Sequence, residues 1–294
     1  MTSTLNSSWK TIGWNTITLT CPLKWEPIIT ETSHILFEKN FRPVFELRWQ
    51  EEKKHGKRSV DATLLKIAGE TGLLVQDLLP PHWEKLKKNY SLKLLADNDS
   101  RELKAAVLIC KECGTTLLLY FFDDLATRHH WDLVRVIESI RCHQQSEAGQ
   151  VLWAIQDFQI LLPNSFTLSG HNFGAGLTRL SFIDSGLTMH LCRLAGASQR
   201  LEKSTMLTLM NLLGELEISE EDIQHQDEAI SHCSFPSIFQ QIRSRVKRRP
   251  PFHWVTLRHH PEHDRLSGLF FFDKKPLPDG LITTILDSYE IFSL

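Results

Sequence analysis

Glycine and proline are scarce in this chain, 14 and 12 among 294 residues, which excludes collagen-like and low-complexity architectures. Long apolar runs are missing too. The longest, LLLYFF at 117–122, is strand-sized and far below the roughly 20 residues of a membrane-spanning helix. The opening MTSTLNSSWKTIGWNTITL holds a single Lys and lacks the apolar core of an export signal. Neither sign of charge dominates: 33 basic against 35 acidic residues leave a net charge of −2, so no global field draws the protein to nucleic acid or anionic lipid. Cysteine is sparse, six residues, and without an export signal a disulfide framework is not expected. The expectation is a reduced, cytoplasmic protein.

Catalytic signatures are also lacking. No Ser-His-Asp or Cys-His-Asn set can be assembled around His129, His130, His225, His232 or Cys233. The stretch EISEEDIQHQDEAISHCSF, 217–235, reads as a helix followed by a loop. GHNFGAGLTRL, 170–180, holds three glycines but no helix N-terminus to present amides to a phosphate, so it reads as a hairpin turn. QEEKKHGKR, 50–58, reads as a solvated loop. RSRVKRR, 243–249, closes a helix before Pro250-Pro251 and offsets its dipole. With no aromatic residues interleaved for base stacking, nucleic acid is not an expected partner.

What the chain does contain is an internal echo. Trp14 leads through a β-patterned segment to Pro22 and Trp25; Trp153 leads likewise to Pro163 and Phe166. FELRW, 45–49, and LTRLSF, 177–182, follow as comparable strands. GTTLLLYFFDD precedes the helical WDLVRVIESIRCH, and RLSGLFFFDKK precedes LITTILDSYEIF. Phe122-Asp123 and Phe272-Asp273 stand 150 positions apart, Ser139 and Ser288 149 apart. The polar QQSEAGQ, 144–150, has the composition of a linker. The expected division is therefore 1–146 and 147–294, two tandem α+β modules. Each has an antiparallel sheet packed with helices and ends in a strand, then a helix that doubles back. Helices are expected over 60–70 and 198–214, the latter from Leu201, Leu207, Met210 and Leu213, with Ser198 as N-cap and Gly214 after the last turn. Most of the eight tryptophans are expected in the core.

This element order, with its P-x-x-aromatic motif at Pro22–Trp25 and Pro163–Phe166, resembles the PsbP/Mog1/DcrB-like fold. The resemblance implies a small non-enzymatic adaptor, chaperone or assembly factor, and brings no catalytic residues with it.

Cys110 and Cys113 form a CxxC at the tip of the hairpin between AAVLI and TTLLLYFF, with Gly114 to relieve the turn. The following strand covers about 26 Å, and the helix from Trp131 returns about 18 Å. Cys142-His143 therefore arrive on the side of the tip. Cys110, Cys113, Cys142 and His143 make a candidate Cys₃His site for structural zinc, closed to water. A thioredoxin-like role would need a helix N-terminus behind the pair, where a strand follows instead. The same thiols also fit as small buried apolar groups. The second half has His259, His260 and His263 at its matching tip, beside Glu262 and Asp264.

The sequence thus reads as a non-catalytic adaptor for another protein or peptide, an internal pseudo-dimer with structural zinc. The alternative is an enzyme or small-ligand-binding protein with its site at the seam between halves, where Arg48 and Arg179 are the first candidates.

Overall fold

A computed structural model describes residues 8–50, 68–76, 79–100, 102–122, 130–142, 149–174, 176–234, 236, 237, 239, 241 and 250–293. His143, His129, the linker residues 144–148, the basic run 243–249, the loop 51–58 and most of the expected helix 60–70 lie outside them; residues 68–71 are helical. The fold is α+β, and the strand ladders among the described residues are antiparallel. The chain divides into two compact units, one of residues 1–146 with 152–156, the other of 147–151 with 157–294.

In the first unit, β1 (Trp9–Trp14) and β2 (Ile17–Pro22) form a hairpin through Asn15 and Thr16, whose φ values of 44° and 70° match the twist a two-residue hairpin needs. Alternation buries Ile17, Leu19 and Cys21 on one side of β2. β10 (Gln150–Ile155) pairs with β1 at Gly13 and Ala154. Only glycine fits there: a Cβ on Gly13 would lie 2.5 Å from the Leu152 carbonyl oxygen. Trp14 and Trp153 meet edge to face beside it, centroids 5.3 Å apart.

The unit's main sheet comprises β3 (Glu26–Glu31), β4 (His34–Lys39), β5 (Arg42–Gln50), β6 (Leu74–Gln76), β7 (Tyr90–Ala96), β8 (Leu103–Cys110) and β9 (Thr116–Phe121), in the order β3-β4-β5-β9-β8-β7-β6. Its inner face stacks Phe37 on Phe45 and Phe45 on Phe121, and Trp25 closes over Phe37 and Phe45. Trp83, on a 3₁₀ turn at Pro81–Lys88, meets Phe121 edge-on. Helix α1 (His130–Ser139) lies along β2 and buries Leu133, Val134, Val136 and Ile137.

In the second unit β11 (Phe158–Pro163) pairs with β19 (Glu290–Ile291). The main sheet holds β12 (Thr167–Gly174), β13 (Leu177–Asp184), β14 (Leu187–Ala195), β15 (Gln224–Gln226), β16 (Ala229–Cys233), β17 (Phe252–His260) and β18 (Arg265–Asp273), in the order β12-β13-β14-β18-β17-β16-β15. Adding nine to each strand number of the first sheet yields the second. Helices α2 (Ala197–Leu201) and α3 (Met206–Gly214) cover it, and α4 (Asp279–Asp287) lies along β11.

Two small details recur. The amide of Trp25 bonds the Pro22 carbonyl at 2.9 Å, and that of Phe166 the Pro163 carbonyl at 3.0 Å, so both P-x-x-aromatic segments are closed turns that bury the ring. At the end of α1, Ser139 Oγ donates to Val136 O and accepts from the Thr20 amide at 2.8 Å. At the end of α4, Ser288 Oγ donates to Ile285 O and accepts from the Leu161 amide at 3.1 Å.

Four expectations need correction. The helix over 198–214 is two helices, because Thr205 is extended and its hydroxyl caps the Thr208 amide at 3.1 Å; Gly196, not Ser198, precedes the first. The stretch read as helix then loop holds a 3₁₀ turn at Glu220–Asp222 and the hairpin β15–β16, turned at Asp227 with φ 42° and held by pairing to β17. GHNFG belongs to β12 itself. FELRW and LTRLSF are also not counterparts: the first is the third strand of its sheet, β5, the second the second strand, β13.

Candidate functional site

β8 and β9 are joined by a loop in which Lys111–Cys113 turn and Gly114 takes φ 72°. The Gly114 amide bonds Cys110 O at 3.0 Å and the Cys110 amide bonds Thr115 O at 3.0 Å, so backbone hydrogen bonds close the CxxC loop. β7 flanks it, with Tyr90 opposite Cys110 and the Lys111 amide on Asn89 O.

The third thiol comes from a distant segment that is pinned twice. Arg141 and Thr18 exchange both backbone hydrogen bonds, at 2.9 and 2.8 Å, and the Tyr90 hydroxyl donates to Ile140 O at 3.0 Å. Cys142 follows at once. The sulfurs of Cys110, Cys113 and Cys142 lie within 4.8 Å of one another, with Cys113 and Cys142 3.4 Å apart. Tetrahedral ligands at a Zn–S distance of about 2.3 Å stand about 3.8 Å apart, so the three thiols are close enough to serve one metal ion. Cys110 and Cys142 are buried and Cys113 is half-buried.

The electrostatics single out one sulfur. Burial opposes the Cys113 thiolate, yet the Thr115 hydroxyl, the Thr115 amide and the thiols of Cys142 and Cys110 all bond it, bringing its pKa down to about 7. Cys142 is pushed well above the usual thiol range by burial and by its hydrogen bonds to Cys113 and Cys110. Tyr90 is raised as well, by burial and then by the neighbouring sulfurs, and stays protonated. Of the three thiols in the cluster, Cys113 is the one whose surroundings favour ionisation. A metal ion would displace the remaining protons.

Of the four residues expected to meet, the structure brings three together; His143 lies outside the described residues. Sequence reasoning missed the supporting Tyr90, Thr18 and Thr115, since none has a spacing signal. At the second unit's tip, His260 engages Ser267 Oγ at 2.8 Å and His263 engages Ser293 Oγ at 3.1 Å. Among the described residues His259, His260 and His263 form no metal-ligand group. Asp264 instead accepts the Ser198 amide at 2.7 Å.

Arg48 is exposed and pairs with Glu46, which His34 also approaches at 3.1 Å; Arg179 donates to Leu213 O. They occupy non-matching strands, so their apparent equivalence in the sequence does not hold. Among the described residues Trp14, Trp25, Trp49, Trp83 and Trp153 are buried. No spacing in the sequence points to an ion triad in the second unit, in which Asp157 accepts from Arg193 Nε at 2.6 Å and Arg265 Nε at 2.7 Å.

No family model and no curated protein matches the chain. It has similarity to solved structures of MucB. In a complex of MucB with MucA(peri) the identity is 9% over 95% of this chain and 82% of that one, with a TM-score of 0.21. MucB alone gives 9% over 92% and 93%, with 0.21. The Pseudomonas aeruginosa MucA/MucB complex gives 9% over 95% and 89%, with 0.22. TM-scores this low assign no fold, and none of these comparisons supports the PsbP/Mog1/DcrB-like resemblance.

Proposed function

We propose that this protein is a non-catalytic, protein-binding module, a tandem duplication of one α+β unit, with structural zinc in the first copy. Support for duplication comes from the matching strand orders and the matching Ser139 and Ser288 clasps. Support for zinc comes from three thiols of two chain segments converging at ligand distance, with His143 next in sequence as the fourth donor. The compartment we propose is a reducing one such as the cytoplasm, where the cluster's thiols stay available to a metal ion.

The binding role is carried by Phe41. It sits in the β4–β5 turn at φ 60°, a conformation costly for a side chain of that bulk, and is 89% exposed. Such strain with an apolar ring in water is a cost to the isolated protein, of the kind found where a surface meets a partner. β3, the sheet's terminal strand, begins near this turn, with Glu26 opposite Glu38, and exposes Ile28, and Leu23 is exposed just before it. An extended peptide could add to β3 by backbone hydrogen bonds, with its side chains against Ile28 and Phe41. The test is affinity capture with the wild type, with Phe41→Asp/Ile28→Lys, and with Leu212→Asp, an exposed leucine of the second unit, as control. The reading requires a partner retained by wild type and control and lost from the double variant. Identical partners on all three would refute it.

A further inference from the structure

The second unit holds a cavity of about 830 Å³, within the roughly 300–1,000 Å³ usual for small-ligand sites. Four rings form a row in its wall, one from each of four neighbouring strands: His190 on β14, Phe272 on β18, His253 on β17 and His232 on β16. Successive centroids are 5.8, 6.2 and 5.2 Å apart. No motif announced this row, because it forms only when the sheet is assembled.

Its polar groups are specific. His232 Nδ1 is 2.9 Å from the Asp222 carbonyl oxygen and so carries the proton. His190 Nδ1 engages Ser181 Oγ at 2.8 Å. Burial, with the charge of Arg179 for His190 and of His232 for His253, lowers both imidazoles to about 4, so they are neutral at pH 7. Among the described residues His253 Nε2 is buried with no hydrogen-bond partner, a state that costs free energy. Arg179 donates to Leu213 O at 3.3 Å and makes no ion pair among the described residues. The exposed Glu215, Glu217 and Asp222 line the same cavity and disfavour a multiply charged anion such as a phosphate. Among the described residues the imidazoles form no three-ligand metal group.

We propose that this pocket binds a small planar aromatic monocarboxylate, its ring against His190, Phe272 and His253 and its carboxylate on Arg179. Successive rings of the row are tilted by 56°, 36° and 32°, so a flat ligand ring stacks on one of them and meets its neighbours at an angle, and one guanidinium matches one carboxylate with two parallel hydrogen bonds. The site stands independently of the zinc and peptide readings, which concern the first unit.

The test is calorimetric titration of the full chain at pH 7 with three probes: 2-naphthoate, naphthalen-2-ylmethanol, which keeps the ring without charge, and cyclohexanecarboxylate, which keeps the charge without a flat ring. Saturable binding of 2-naphthoate is expected, with each other probe weaker by roughly tenfold or more. Arg179→Gln should erase the preference for the acid over the alcohol, and Arg179→Lys should retain part of it. Thermal melting of each variant checks that it is folded, and the lysine variant keeps the test valid if the glutamine variant is not. No saturable binding of 2-naphthoate, equal binding of acid and alcohol, or an unchanged preference in Arg179→Gln would overturn the proposal.

Discussion

Replacing Asp157 by Asn removes one charge and almost no volume from the second unit. The wild-type carboxylate is 6% exposed, between Arg193 at 10% and Arg265 at 26%. Asn cannot accept both guanidiniums as an anion does, so a nearly buried Arg193 is left without compensation. Breaking a buried pair in this way costs about 3–5 kcal/mol. A unit of this size loses about 2–4 °C of melting temperature per kcal/mol, so a fall on the order of 10 °C is expected in calorimetric melting of the full chain at pH 7. Burial opposes ionisation of Asp157, but the hydrogen bonds and charges of Arg193 and Arg265 outweigh it and hold the carboxyl below its usual range. A depressed folded pKa stabilises above the unfolded value, about 4, and the stabilisation is lost as pH falls through the lower folded value. Wild type and Asp157→Asn should therefore differ most near pH 7 and converge in acid. A loss below about 1 kcal/mol, or a difference that does not change with pH, would refute the reasoning.

Ser139→Ala and Ser288→Ala should each cost about 1–3 kcal/mol in denaturant titrations, because each strands a strand amide, of Thr20 or Leu161. A large effect in only one would contradict the equivalence of the two clasps. Phe41→Gly should leave the melting temperature unchanged or raise it, since glycine accepts φ 60° freely, while weakening partner capture. In metal-free protein Cys113, half-buried with a pKa near 7, should be the first thiol alkylated by iodoacetamide in peptide mapping. Cys21 and Cys192, buried and pushed up to about 12, should react last.

Much of the fold was legible because local chemistry and tertiary role agreed. Pro22 with Trp25 and Pro163 with Phe166 read as one motif repeated in the two halves, and both segments close in the same way, amide of the aromatic residue to carbonyl of the proline. The convergence of Cys142 on the CxxC followed from strand and helix lengths alone, which fix where a doubling chain returns. The break in 198–214 was hidden because apolar periodicity continues past Thr205, and only its cap to Thr208 reveals the interruption. β16 was misread because the acidic residues upstream suit a helix, while pairing with β17 decides the outcome. Arg48 and Arg179 misled because neighbouring strands of a meander carry similar alternation. Asp157 with Arg193 and Arg265, and the ring row from His190 to His232, join residues far apart in sequence, and no local pattern encodes them.

The most direct test of the account is the zinc content of full-length protein purified under reducing conditions, measured beside Cys110→Ser and Cys142→Ser. The account predicts one zinc per wild-type chain and little in either variant, with a lowered melting temperature in both. Metal-free wild type, or variants with undiminished zinc and unchanged melting, would contradict it.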